Sequence, residues 1–190
     1  MRLVLTRHGR TAWNQARRFQ GQTDIELDDV GRAQALALAG VLCGRVEAVV
    51  ASDLARAAAT AQIVADALQI PVLGHDPDLR ERGNGVFEGL THEECAANYP
   101  DAWAAREGRL NLPPPGGETH AQVVERMQRA LSRVVTRWRG AHASVLVVSH
   151  GGALRMFLEL VDGAPHASLG NAECHEVVLF ICNLQRVPVI

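Results

Sequence analysis

The sequence predicts an α/β fold: a three-layer sandwich with a mostly parallel central sheet, flanking helices and an inserted flap. Strand and helix patterns alternate along most of the chain, and its strongest strands, RLVLT, EAVVAS and SVLVV, are apolar at successive positions. A strand with one face in water alternates polar and apolar residues, so these runs need cover on both faces. The 190 residues contain no internal repeat, low-complexity tract or evident linker. That length buries a substantial core, so residues 1–190 are expected to form one domain.

RLVLT reads as the first buried strand. A helix is expected from about Asp28, with Asp28 or Asp29 as N-cap and Ala35, Leu36, Leu38, Ala39 and Leu42 as its apolar stripe. Gly44 stands where that helix should stop. EAVVAS is the second strand, and Ser52-Asp53 opens a helix reaching about Leu68. PVLGH, led by Pro71, is a short third strand. Residues 76–117 break the rhythm with DPDLRERGNGVFEGL, short helical candidates at Glu93–Asn98 and Ala102–Glu107, and LPPPGGE. They are expected to form an insertion covering the active site. An amphipathic helix follows from about Thr119 to Trp138, burying Val123, Val124, Met127, Ala130, Leu131, Val134 and Val135. SVLVVSHGG leads into a helix from about Ala153 to Leu160, and EVVLFIC and RVPVI close the chain.

The formal net charge is −2, so nothing in the balance calls for nucleic acid or an anionic membrane. No apolar run approaches the roughly 18 residues of a membrane span. MRLVLTRHG is too soon interrupted by charge to read as a signal peptide, and a cytoplasmic location is expected. Cys43, Cys95, Cys174 and Cys182 form no C-x-x-C pair and read as reduced, mostly buried thiols. Cys174 and His175 are neighbours on a strand and point to opposite faces, which argues against a shared metal.

Ligands of such sheets bind beyond the carboxyl ends of the strands. Arg7-His8-Gly9 ends the first strand, and Ser52-Asp53, with Arg56 a turn later, ends the second. The third leads to Glu81, and Ser149-His150-Gly151-Gly152 ends the strongest. Each exit alone reads as an ordinary polar turn. Together they bring two histidines, two arginines and a carboxyl group to one end of one sheet. An arginine beside a histidine repels unless an anion comes between them.

TRHGRTAWN, FQGQTDIELDDVGRAQA, SDLARAAATA, LRERGNGVFEGLT, PPPGGET and VVSHGG, in this order, resemble the histidine phosphatase superfamily, also called phosphoglycerate mutase-like. The resemblance spans nearly the whole chain. It implies phosphoryl transfer with His8 as nucleophile and a phosphohistidine intermediate. The other ring nitrogen of His8 must then be held as a donor. Arg7 and Arg56 suit bidentate contact with phosphoryl oxygens. His150, the Gly151 N–H and Asn14 add further donors. Glu81 matches the family's proton donor. Gln20 and Gly21 match positions that touch the non-reacting part of the substrate in related mutases, and Glu88 reads as structural. Such a donor set replaces magnesium, so neither metal nor cofactor is expected.

Arg10 stands where the family usually has Glu or Gln; it is expected to face solvent, or else to add charge at the pocket rim. Mutases resembling this chain are longer between the acid and the second histidine. Here 69 positions separate Glu81 from His150, and a long helix and most of a strand occupy many of them. Only Arg106 and Arg109 are at hand to hold a substrate carboxylate. The expectation is a metal-independent phosphatase acting on a small phosphorylated metabolite. The alternatives are a cofactor-dependent phosphoglycerate mutase and a silent phospho-ligand binder. Dimerisation through an edge strand or the insertion stays open.

Overall fold

The computed structural model describes residues 1–107, 112–167 and 169–178. RVPVI, the end of EVVLFIC, Arg109 and Cys182 lie outside the described residues. Five strands, β1 (Arg2–Arg7), β2 (Ala48–Ala51), β3 (Val72–His75), β4 (Ser144–Ser149) and β5 (Cys174–Val178), form one sheet in the order β3-β2-β4-β1-β5. All neighbours are parallel except β5, which runs antiparallel to β1.

The central strands are buried at every interior position because helices cover both faces. Leu3, Leu5, Val50, Val145 and Val147 pack toward α6 (His120–Trp138) and α7 (Gly151–Asp162). Val4, Val49, Ala51, Leu146 and Val148 face the opposite way, toward α2 (Asp29–Leu42) and α3 (Ala55–Leu68). Period-two alternation thus feeds two separate cores, which is why these strands read as unbroken apolar runs.

Helix boundaries follow local chemistry. Asp28 caps α2 by accepting from the Gly31 N–H, and Thr119 closes a reciprocal capping box with Gln122 at α6. Leu36, expected in the buried stripe, is 59% exposed. It lies one residue off the Ala35–Leu38–Ala39–Leu42 row, the buried part of a narrower stripe. Cys43 follows α2 and is exposed, unlike Cys95, which is buried; both are free thiols. The helix of the fourth strand exit begins earlier than expected, at Gly151, directly after His150.

The segment between β3 and α6 contains two short 3-10 turns, α4 (His92–Asn98) and α5 (Pro100–Glu107). Its aromatics act as an anchor. Phe87 is fully buried, and Phe19, Phe87 and Trp103 approach one another with centroids 5.8–6.1 Å apart. A four-residue helix, α1 (Ala12–Gln15), follows β1. No helix among the described residues is long and apolar enough to cross a membrane.

Strand order fixes where a ligand can sit. The chain leaving β1 passes through α2 on one face, and the chain leaving β4 enters α7 on the other. β1 and β4 are adjacent, so their exits diverge and leave a crevice between them. His8 and His150 lie at that point.

Candidate active site

The β1–β4 crevice holds two imidazoles with centroids 5.0 Å apart. His8 is 2% exposed, and its Nδ1 lies 2.7 Å from the Gly9 carbonyl oxygen. A carbonyl only accepts, so Nδ1 carries the proton and Nε2 keeps its lone pair. The turn that makes this bond depends on a glycine. A Cβ on Gly9 would lie 2.3 Å from the Gly31 carbonyl oxygen at the start of α2, and the Gly9 N–H donates to Thr60 Oγ1 at 3.0 Å.

His150 is fully buried, and neither ring nitrogen has a hydrogen-bond partner. It caps α7 by backbone position only. The carboxyl group of Glu81 takes the helix start instead, accepting from Gly152 N at 3.0 Å, Ala153 N at 2.8 Å and Arg82 N at 2.8 Å. Burial first, then the positive charge of Arg56, hold both imidazoles well below the ordinary value of 6.5. Both are therefore neutral near pH 7.

Arg56 is also fully buried. Its terminal nitrogens donate to the carbonyls of Gly21 at 2.7 Å and Thr23 at 2.8 Å, while Nε has no partner. Burial lowers its pKa to about 10, against the attraction of Glu81. Arg7 donates to the Leu169 carbonyl at 3.0 Å, and its Nε is likewise unpartnered. Gly151 sits against this side chain: a Cβ there would lie 3.2 Å from Arg7 Nε. The structure thus brings Arg7, His8, Arg56, Glu81, His150 and Gly151 together.

Asn14 flanks them. Its Oδ1 caps α1 by accepting from Thr11, and it lies 3.4 Å from Asn171 Nδ2, which itself donates to the His8 carbonyl. Nδ2 of Asn14 is left without a partner among the described residues. Gln20 is buried with Oε1 unpartnered. Gly21, at φ 52°, turns its carbonyl to Arg56, and Glu88 clamps the loop by accepting from Gln22 N, Thr23 N, Thr23 Oγ1 and Asn84 N. Glu88 is accordingly a loop fastener.

Arg10 is paired: its Nε is 2.8 Å from Asp28 Oδ2, the N-cap carboxylate of α2, and its side chain stays 31% exposed. Sequence reasoning missed two residues behind Glu81. Arg126 donates to the carbonyls of Asp78, Arg80 and Glu81 and to both oxygens of Glu118. Glu118 also accepts from the Gly83 N–H at 2.7 Å. A signal existed: Arg126 interrupts the apolar stripe of α6 between Val123 and Ala130. Elsewhere, Asp162, His166 and His175 place ligand-type atoms within 4.8 Å of one another, and Cys174 takes no part.

Arg7 Nε, Arg56 Nε and both ring nitrogens of His150, all buried, have no protein partner. A crevice at the carboxyl edge of an α/β sheet, lined by unpartnered buried nitrogens, has the donor chemistry that suits an oxyanion. The chain belongs to the histidine phosphatase superfamily (branch 1), whose profile matches residues 3–186. It is 39% identical over 184 residues to the metal-independent phosphoserine phosphatase of Arabidopsis thaliana, covering 93% of this chain and 76% of that one. The probable phosphoglycerate mutase GpmB of Erwinia tasmaniensis is 36% identical over 190 residues, 98% of this chain and 84% of the other. The mycobacterial glucosyl-3-phosphoglycerate phosphatase, in its complex with VO3, superposes with a TM-score of 0.82 at 33% identity, covering 93% and 90% of the two chains.

Proposed function

We propose that the chain is a metal-independent phosphatase that hydrolyses small phosphomonoesters through a phosphohistidine on His8. One observation carries the reading. Among the described residues, six buried side-chain polar atoms lack a partner: Arg7 Nε, Gln20 Oε1, Arg56 Nε, Arg82 Nη2 and both nitrogens of His150. Of these, Arg7 Nε, Arg56 Nε and the His150 ring surround His8; Gln20 Oε1 is an acceptor and is no part of the donor set. Buried donors are normally satisfied, and a cluster of exceptions in one place is complementary to an oxyanion.

The chemistry follows from the tautomer. His8 Nε2 attacks phosphorus, the P–O ester bond breaks, and Glu81 as the carboxylic acid protonates the leaving alkoxide. Arg7, Arg56, His150 and the Gly151 N–H bear the charge on the phosphoryl oxygens. In the second half, Glu81 takes a proton from water, the oxygen attacks phosphorus and the P–N bond breaks. Inorganic phosphate leaves and neutral His8 is restored. Arg126 and Glu118 hold the Glu81 loop by its main chain and act as positioning residues. The described residues of the 76–117 insertion serve as a wall of the site within a single domain.

The likeness to a probable phosphoglycerate mutase supports a second reading, in which the phosphoryl group returns to the substrate. Phosphate release from a panel of phosphomonoesters in EDTA separates the two. The panel includes 3-phosphoglycerate with its 2,3-bisphosphate. Net release of phosphate is expected; isomerisation without net release would replace the phosphatase by the mutase.

A further inference from the structure

A cluster of metal-ligating side chains lies apart from the crevice, where α7 meets the edge strand β5. α7 ends at Asp162, and Gly163, at φ 60°, turns the chain while its N–H donates to the Glu159 carbonyl at 2.9 Å. Ala164 and Pro165 complete the turn and return His166 to the helix end, with Nε2 3.3 Å from Asp162 Oδ2. The third member comes from the sheet. His175 pairs with Leu5 across the antiparallel β1–β5 ladder, and Leu5 packs on the α7 side. Directly opposed residues share a face, so His175 points toward α7, while Cys174 packs against the α2–α3 core.

A helix end, a turn and a strand thus supply one ligand-type atom each, all within 4.8 Å of one another and all from half-buried residues. The two imidazole centroids are 5.1 Å apart, with ring planes at 87°. A further contact sets the tautomer of His166: its Nδ1 lies 3.1 Å from the Ala167 carbonyl oxygen. A carbonyl only accepts, so Nδ1 carries a proton, and Nε2 is the nitrogen that faces Asp162. Metal-bound histidines are held in this way, with the second ring N–H on a main-chain carbonyl or carboxylate. Nε2 and the Asp162 carboxylate are both acceptors at 3.3 Å, a contact that is favourable only with a proton or a metal cation between them. Zinc bonds of about 2.0–2.2 Å set tetrahedral ligand atoms about 3.3–3.5 Å apart. The Asp162–His166 edge has that length, and a small turn of the His175 ring closes the others.

We propose that Asp162, His166 and His175 form a binding site for a divalent transition cation of the zinc class, with water in the fourth position. Two imidazoles and one carboxylate suit zinc, cobalt or nickel, whereas magnesium and calcium take oxygen ligands. The cation has no part in phosphoryl transfer. It staples the end of α7 to β5, the last strand in the sheet order.

The test is calorimetric titration with zinc chloride of protein stripped by EDTA and then freed of chelator. Wild type should take up one equivalent, and His166→Gln and His175→Gln should each weaken that binding about tenfold or more. Zinc should also raise the unfolding temperature of wild type more than that of either variant. His8→Ala should bind zinc as wild type does, because the crevice histidines are a separate pair. Absence of uptake would leave a proton as the cation shared by Asp162 and His166 and overturns the site. Uptake unchanged in both glutamine variants, or lost in His8→Ala and kept in His166→Gln, overturns it as well. Where a variant does not fold, wild type alone decides: zinc should shield His166 and His175 from diethyl pyrocarbonate in peptide mass mapping, and shielding of neither overturns the site.

Discussion

Arg126 and Arg56 are both buried guanidiniums at the same end of the sheet, and they are built for opposite ends. Arg126 makes five hydrogen bonds, to three carbonyls and a carboxylate, and leaves no buried nitrogen unpartnered. Arg56 fastens one loop by two carbonyls and keeps Nε free of partners, as Arg7 does. The clamp behind Glu81 is satisfied; the crevice is not. A satisfied buried network rigidifies, whereas an unsatisfied one costs stability unless a ligand completes it. Stability and activity should therefore separate when the two regions are mutated.

The largest expected effect lies in the crevice. His8→Ala should lower kcat about 10⁴-fold or more with no change of fold, measured as phosphate release in EDTA. His150→Leu should lower activity about 10²–10³-fold while leaving stability within about 1 kcal/mol of wild type, or raising it, in urea unfolding. A marked loss of stability would place His150 among the structural groups. Across the divide, Arg126→Leu should cost about 3–5 kcal/mol, because Glu118 and three carbonyls lose their partner. A stable Arg126→Leu protein would dissolve the contrast.

Acid sharpens it further. Both site imidazoles are held well below 6.5 in the folded protein and return to about that value when it unfolds. Below pH 6.5 the unfolded chain binds protons that the folded site refuses, so stability present above pH 6.5 falls as the pH drops toward the folded values. His150→Leu should flatten this decline in unfolding measured between pH 7 and 5. The smallest effect belongs to Arg10→Ala: the part-exposed pair with Asp28 contributes about 0.2–1 kcal/mol, and substrate preference should not move.

The architecture was legible because the strands are long apolar runs and the helices carry amphipathic stripes with recognisable caps at Asp28 and Thr119. The convergence of the strand exits was also legible, since a sheet places the carboxyl ends of parallel strands on one edge. The pairings were hidden. Nothing local to Arg10 shows that Asp28 reaches it, since the contact joins a turn to a helix cap 18 residues on. Likewise, Arg106 reads as part of a charged helix end until Asn84 Oδ1 and the Phe19 ring receive it. Arg126 was the exception, a charged residue at a core position of a helix, which sequence alone should have flagged as a buried network.

The account's central claim is that His8 carries the phosphoryl group. The direct test is rapid acid-free quench of wild type mixed with ³²P-labelled substrate, followed by peptide mapping of the labelled protein. The account predicts a base-stable, acid-labile phosphoryl label on His8, absent in His8→Ala. Label on His150 or Glu81, or turnover by His8→Ala at the wild-type rate, would contradict it.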